Sequence, residues 1–166
     1  PPRSTLFPYT TLFRSMIMDL AINEARKTIN KNYGGPFGAV VVDKDNNVVA
    51  VSSNTVLKSH DPTAHAEINA IRQACQKLNT HNLEGYKIYT TGYPCPMCLS
   101  AIIWANIKEV YYGTDYKQAE VLGFRDDFIY EYLNGNKKDI LKTSQTDEEK
   151  CLKLFEEYLL EDKQIY

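Results

Sequence analysis

The sequence of 166 residues lacks a long apolar run, a secretory signal and an excess of charge of one sign. A membrane-spanning helix needs roughly 18 or more consecutive apolar residues, so no membrane span is predicted. The 19 basic and 21 acidic side chains give a net charge of −2, which provides no overall attraction to nucleic acid or anionic lipid. Hydrophobic residues at 43% and charged residues at 24% are typical of a globular protein rather than a disordered chain or a coiled coil.

The first fifteen residues, PPRSTLFPYTTLFRS, contain no acidic residue and follow neither a helical nor a strand period. Pro8, Thr10 and Thr11 interrupt the stretch that would have to be the apolar core of a signal peptide. We interpret residues 1–15 as a leader that is either disordered or non-native, since 5–15 resemble the translation of a sequencing adapter. Residues 16–166 then form one predicted domain, with a helix that begins at Met16.

Helical and strand patterns alternate along that domain. We predict helices at 16–32, 65–78, 94–105, 118–122 and after Thr146, and strands at 39–42, 48–51, 87–91, 108–113 and, more weakly, 139–142. Thr146 and Glu149 have the spacing of a capping box. The alternation predicts an α/β fold with a mixed central sheet of about five strands flanked by helices.

The four cysteines fall into two kinds. Cys75 and Cys151 lie on apolar helical faces and are predicted to be buried structural thiols. Cys95 and Cys98 lie three apart at a predicted helix start, where backbone N–H groups favour thiolates. Taken alone, this pair is compatible with a structural zinc site, a redox pair or chance. Without a secretory signal a disulfide framework is not expected, and we expect a cytoplasmic protein.

A third candidate ligand stands in the segment His65-Ala66-Glu67, at the start of another predicted helix. Two cysteines and one histidine would leave the fourth zinc position open, which is typical of a catalytic site. Glu67 lies close enough to reach that position without being a ligand. His65 alone is more often a capping or core histidine, but two motifs that each open a helix favour a site with one Zn²⁺ per subunit.

These segments resemble the cytidine deaminase superfamily, whose H-x-E and P-C-x-x-C motifs match His65-Ala66-Glu67 and Pro94-Cys95-Pro96-Met97-Cys98. Within it, the chain is most similar to the bacterial guanine deaminases, from about Met16 to Tyr166. The further segments that carry this likeness are Gly34-Gly35-Pro36-Phe37-Gly38-Ala39, Asn54, Ala101-Ile102-Ile103-Trp104-Ala105, Gly123-Phe124-Arg125-Asp126-Asp127-Phe128-Ile129-Tyr130 and the terminal Tyr166.

The resemblance implies a three-layer cytidine-deaminase-like fold and the conversion of guanine, a small purine base, to xanthine and ammonia. His65, Cys95 and Cys98 would bind zinc, and Glu67 would carry protons. The resemblance also implies a substrate-contacting set: Phe37, Asn54, the backbone of Ala66, Trp104, Asp126 and Tyr166. The last of these would reach the pocket of a partner subunit, in a homodimer with exchanged C-terminal tails.

Each side chain of the substrate-contacting set could instead have an ordinary structural role. Phe37 and Trp104 fit core aromatics, Asn54 a turn residue, Asp126 a helix cap, and Tyr166 a frayed chain end.

Other functions also remain open. A tRNA adenosine deaminase would use the same zinc core but needs a basic RNA-binding groove, which the charge balance makes unfavourable. Deamination of cytosine or another small aminated heterocycle depends on pocket size. A non-enzymatic zinc module that binds nucleotides would have no need of Glu67. One departure from the family pattern is Tyr93, which stands where relatives often carry Glu.

Overall fold

The chain's structure, a computed structural model, describes residues 6–161 and 163. These residues fall into two compact units, one that ends at Tyr130 and one that begins at Glu131. Along the chain the elements are α1 Leu6–Asn30, β1 Gly38–Val42, β2 Val48–Ser53, α2 Val56–Ser59, α3 Ala66–Leu78, β3 Lys87–Gly92, α4 Pro96–Trp104, β4 Glu109–Thr114, α5 Tyr116–Val121, α6 Asp127–Leu133 and α7 Glu148–Leu159.

The first unit is built on a four-stranded mixed sheet with the order β2-β1-β3-β4. β1 pairs antiparallel with both β2 and β3, whereas β3 and β4 run parallel and are joined through α4. The β1–β2 connection is a tight turn because Asp43 accepts hydrogen bonds from the backbone N–H groups of Asp45 and Asn47. β1 is buried along its whole length, so it is the central strand of the core.

Helices cover both faces of this sheet, so the predicted three-layer α/β arrangement is confirmed. On one face α1 packs against a cluster that includes Ile17, Ala21 and Val40. On the other face α3 and α4 enclose a larger cluster of small and branched side chains. The residues of that cluster are Ala39, Val41, Ala50, Ala66, Ala70, Ile71, Ala74, Leu83, Ile88, Ile102, Ala105 and Ile107. Alternate residues of β1 thus face opposite layers, as the period of a strand requires.

Two features of the first unit differ from the sequence-based expectation. α1 begins at Leu6 rather than at Met16, and within the earlier segment Phe13 packs against the apolar cluster on its side of the sheet. The Arg14 guanidinium lies 3.3 Å from the Tyr111 hydroxyl. A segment with weak helical periodicity can still form a helix where tertiary packing against the sheet stabilises it. The short helices α2 and α6 were also not predicted.

The second unit contains α7 and irregular segments. The predicted fifth strand at 139–142 is wrong: these residues form a turn and irregular chain, and Ile140 and Leu141 are both exposed. The sheet of the described residues therefore has four strands rather than five. Asp147 is the N-cap residue of α7 and lies in the left-handed region without a side-chain capping hydrogen bond, so the capping box expected from Thr146 is not formed. Cys151, predicted to be buried, is exposed.

Among the residues that the structure describes, no helix is both long and apolar enough to cross a bilayer.

Candidate active site

His65 is the N-cap residue of α3 and lies in extended backbone geometry directly before the helix. The turn before it is held by Asp61, whose Oδ1 accepts hydrogen bonds from the backbone N–H and the hydroxyl of Thr63 at 2.8 and 2.7 Å. The His65 N–H then donates to the Thr63 carbonyl at 2.7 Å. The segment Asp61-Pro62-Thr63 therefore sets the direction in which the imidazole leaves the backbone.

Cys95 occupies the same position at α4, as the N-cap residue in extended geometry, with Pro96 as the first helical residue. Proline is favoured at this position because a backbone N–H there would have no acceptor within the helix, so its absence costs no hydrogen bond. Cys98 follows one turn later and is buried. Two helix N-termini thus converge, and both favour negative charge.

The three predicted ligands lie together. The Nδ1 atom of His65 is 3.6 Å from Cys95 Sγ and 3.6 Å from Cys98 Sγ. All three donor atoms lie within 4.8 Å of one another. Zn–S and Zn–N bonds of about 2.3 and 2.0 Å in a tetrahedron place sulfur and nitrogen roughly 3.5 Å apart. The donor set and its spacing therefore fit one zinc ion with three protein ligands.

The electrostatics of the three donors agree with a cation site. Hydrogen bonding from the Cys98 thiol and from His65 lowers the pKa of Cys95 to about 4. The hydrogen bond with Cys95, together with burial, raises the pKa of Cys98. The hydrogen bond with Cys95 also raises the pKa of His65. A divalent cation bound by these donors would stabilise both cysteines as thiolates.

Glu67 lies in the first turn of α3 and is only 6% exposed. Burial raises the pKa of this carboxyl, and the neighbouring Cys95 thiolate raises it further. Burial disfavours the charged form of a carboxyl, and a carboxyl in such a place is a candidate for general acid–base catalysis. Its position beside the donors, and not among them, matches the role that the sequence suggests.

The cavity above these groups has a volume of about 520 Å³. His65, Glu67 and Cys95 lie in its wall, and the other walls come from the loops after α1 and β2 and from the segment between α5 and α6. Sites for small molecules typically have volumes of about 300–1,000 Å³. The cavity is therefore of a size for a small ligand placed directly on the reactive groups.

Asn54 is 5% exposed and lines the cavity. Its Oδ1 accepts hydrogen bonds from the backbone N–H groups of Val56 at 3.2 Å and Gly35 at 3.4 Å. Asn69 supports the same loop, because its Nδ2 donates to the carbonyl of Ser53 at 2.9 Å. With Oδ1 engaged by the backbone, Nδ2 is the Asn54 atom that can serve an acceptor on a ligand.

Phe37 and Phe124 form an aromatic corner of the cavity. Their ring centroids are 5.0 Å apart at an interplanar angle of 84°, which is an edge-to-face contact. Both rings lie against Gly35, where a β-carbon would come within about 3 Å of either ring. The two rings give this part of the cavity wall an apolar, aromatic surface.

Asp126 lines the cavity, and its neighbour Asp127 is engaged elsewhere, with both of its carboxylate oxygens bound by Arg125 at 3.1 and 2.8 Å. Burial raises the pKa of Asp126, and the Cys95 thiolate raises it further. The two adjacent carboxyls are thus in different environments, and Asp126 is the one available to a ligand.

The structure does not bring every predicted substrate-contacting residue to this cavity. Trp104 is the last residue of α4, 75% exposed, and does not line it. Ala66 is the first residue of α3, between two lining residues, with its side chain in the core. Tyr166 lies outside the described residues.

Sequence reasoning missed Phe124 and Tyr93 as lining residues. Phe124 stands within the segment 123–130 that carried the family likeness, so that segment was the available signal. Tyr93 directly precedes the cysteine motif, and its ring makes an edge-to-face contact with Tyr112 at 5.0 Å. The lining residues contributed by α5, Tyr116 and Ala119, had no sequence signal.

Comparison with known proteins agrees with this geometry. Residues 13–114 match the family model described as the cytidine and deoxycytidylate deaminase zinc-binding region. A guanine deaminase of Bacillus subtilis (strain 168) is 46% identical over 114 residues, which cover 69% of this chain and 72% of that protein. A tRNA-specific adenosine deaminase of Agrobacterium fabrum (strain C58) is 44% identical over 100 residues, 60% of this chain and 64% of that protein.

The fold comparison extends further along the chain. The X-ray structure of guanine deaminase from Bacillus subtilis superposes with a TM-score of 0.86 at 37% identity, over 92% of this chain and 98% of that one. The expected cytidine-deaminase-like fold is thereby confirmed. From the family match, the relatives and the histidine–cysteine cluster, we conclude that this chain belongs to the cytidine and deoxycytidylate deaminase family.

Proposed function

We propose that the protein is a hydrolase that deaminates guanine to xanthine and ammonia. One observation carries this proposal: His65, Cys95 and Cys98 meet at zinc-ligand spacing beside the buried carboxyl of Glu67, in the wall of a cavity suited to a small base. Support for guanine in particular comes from the guanine deaminase of Bacillus subtilis, which is similar in sequence and in fold.

The reaction adds water at C2 of guanine and releases the C2 amino group. A C–O bond forms at C2, the C2–N bond breaks, and the amine departs as ammonia only after it has gained a proton. A zinc ion held by His65, Cys95 and Cys98, one per subunit, would make hydroxide available at neutral pH by lowering the pKa of water.

Glu67 moves the protons. Its carboxylate accepts a proton from the attacking water and delivers it to ring N3. It then takes the remaining proton of the new C2 hydroxyl and passes it to the leaving nitrogen, so that ammonia departs and C2 becomes a carbonyl. General acid–base catalysis of this kind contributes about 10²–10⁴-fold. Burial raises the pKa of Glu67, which makes its carboxyl form easier to reach than that of an exposed glutamate.

The residues around the cavity would bind and orient the base. We propose that Phe37 packs against the purine ring. Asn54 would donate a hydrogen bond to an acceptor on the purine edge, and Asp126 would accept from the amino or ring N–H groups of guanine. The first two are fixed by packing and by backbone hydrogen bonds, so they would present a preformed surface. Preorganised groups lose little entropy when the ligand binds.

Three further assignments belong to the same proposal. The backbone N–H of Ala66 would bind the purine edge, Trp104 would pack beside the base, and Tyr166 would complete the pocket of a partner subunit in a homodimer with exchanged tails. Trp104 is well exposed on the isolated chain, which suits a residue that is covered on assembly. We also place the reaction in the cytoplasm, since free thiols are kept reduced there.

The test is release of ammonia by the purified, zinc-loaded protein from guanine, adenine, cytosine, guanosine and a tRNA anticodon stem-loop. We expect guanine to be the preferred substrate by kcat/KM, with xanthine as the product. Failure to form xanthine from guanine would reject the proposal.

The second candidate is a tRNA adenosine deaminase, which the identity of 44% to the Agrobacterium fabrum protein favours. Inosine formed in the stem-loop, with no xanthine from guanine, would establish this alternative.

A further inference from the structure

A buried threonine lies next to the carboxyl of Glu67. Thr90 is in β3, is fully buried, and has its Oγ1 3.3 Å from Glu67 Oε1 and 3.0 Å from the carbonyl oxygen of Gly92. Valine would fill the same volume on a strand without a buried hydroxyl, and buried hydroxyls are stable only when they are hydrogen-bonded. The hydroxyl is therefore a specific feature of this position.

We propose that Thr90 is a positioning residue that holds the Glu67 carboxyl in its working orientation. The inference rests on the proposed function, since it assigns Thr90 a part in the proton transfers of Glu67. The other polar groups close to this carboxyl are the Glu67 backbone N–H and the side chains of His65, Cys95 and Cys98. A bound zinc ion would engage those three side chains. Thr90 then provides a side-chain hydrogen bond that the ligand set does not.

A hydroxyl suits this task because it donates one hydrogen bond and also accepts. When Glu67 is a carboxylate, the Thr90 hydroxyl donates to Oε1. When the carboxyl carries a proton, that proton is donated to Thr90 Oγ1, and the hydroxyl hydrogen turns to the Gly92 carbonyl. One contact therefore holds Glu67 in both of the forms through which a proton carrier must pass.

The experiment compares Thr90→Val, Thr90→Ser and the wild type in steady-state guanine deamination, with zinc measured by elemental analysis. For Thr90→Val we expect kcat to fall about ten-fold or more, KM to change less than about two-fold, and zinc content to stay the same. Thr90→Ser restores the hydroxyl and is expected to recover most of kcat. Thr114→Val, which removes an exposed hydroxyl bonded to the Thr91 carbonyl, is the matched control.

Xanthine binding, measured by calorimetry, gives a readout that does not depend on turnover, and we expect equal affinity for the wild type and Thr90→Val. An unchanged kcat in Thr90→Val would overturn the inference. A parallel loss of zinc, of fold or of xanthine affinity would do so too, because it would show a merely structural role. If the wild type released no ammonia from guanine, the proposed function would fail first, which is a separate result.

Discussion

Gly34 packs directly against the side chain of Asn54, so closely that a β-carbon on the glycine would overlap the Asn54 Oδ1 atom and its carbonyl. The amide of Asn54 is thereby confined between this glycine and the N–H groups of Gly35 and Val56. The geometry of the loop thus requires glycine at position 34, because any side chain there would displace Asn54.

Replacement of this glycine tests whether the amide must stay where it is. Gly34→Ala forces Asn54 or the loop to move, and we expect a fall of about ten-fold in kcat/KM, mostly through KM. Overpacking of this kind costs about 1–3 kcal/mol, so the free energy of unfolding should fall as well. Ser52→Ala, at an exposed hydroxyl of β2, is the control. Wild-type KM in Gly34→Ala would contradict a substrate role for Asn54.

Glu67→Gln separates proton transfer from metal binding. The amide keeps the size of the side chain but cannot take up a proton, so we expect kcat to fall at least about a hundred-fold with full zinc content. Steady-state kinetics and elemental analysis measure the two quantities. Glu84→Gln, at an exposed glutamate, should behave like the wild type. Normal turnover in Glu67→Gln would rule out the proposed mechanism.

Cys98→Ala removes one of the three donors and should abolish stoichiometric zinc binding, because only two protein donors would remain where catalytic zinc sites use three. Cys75→Ala is the matched control, since Cys75 lies half-buried on α3 and outside the donor cluster. Elemental analysis after dialysis against a weak chelator distinguishes the two variants. Retention of one zinc by Cys98→Ala would disprove the ligand set.

The neighbouring carboxyls Asp126 and Asp127 form a natural pair for comparison. Asp126→Asn should lower kcat/KM on guanine by about ten-fold or more, which is the size expected for a lost hydrogen bond to a charged group. Asp127→Asn breaks the contacts with Arg125 at the surface and should change kcat/KM less than about two-fold. Similar values for the two variants would argue against a substrate contact by Asp126.

A pH-dependent contribution to stability is expected from Asp43 in the β1–β2 turn. The hydrogen bond from the Asn47 side chain, together with two backbone N–H groups, lowers the pKa of Asp43 below its ordinary value of 3.8. A lowered pKa in the folded state stabilises the fold above about pH 4, and this contribution is lost as the pH falls further.

Urea unfolding measures this contribution. Asp43→Asn should be less stable than the wild type at pH 7, and the difference should shrink towards about pH 3. Asp45→Asn, at an exposed position of the same turn, serves as the control. A difference for Asp43→Asn that does not depend on pH would disprove the assignment.

The sequence predicts the ligand cluster because two short motifs that resemble the deaminase pattern each stand at a helix start. His65 and Cys95 both stand immediately before helices, and the segments Asp61-Pro62-Thr63 and Pro94-Cys95-Pro96 carry the signals for those helix starts. The strands of the first unit were likewise predictable from their apolar runs, since β1 is buried on both faces. Each of these features is encoded within a few neighbouring residues.

Other features depend on contacts between distant residues. Phe124 contacts Phe37, which is distant in sequence, so no local sequence pattern could predict the contact. The contact of Thr90 with Glu67 arises only when β3 and α3 come together. At 139–142 two apolar residues, Ile140 and Leu141, suggested a strand, but a strand needs a neighbour with which to pair, and this segment pairs with no strand of the described residues.

The placement of His65 on a different element from the two cysteines links metal affinity to folding. In the unfolded chain the cysteines remain close neighbours, but the imidazole is separated from Cys95 by 30 positions and contributes little. Tight capture of the ion is therefore a property of the native state, and loading shifts the unfolding equilibrium by mass action. In a cell short of zinc we therefore expect this protein to be less stable to unfolding as well as inactive.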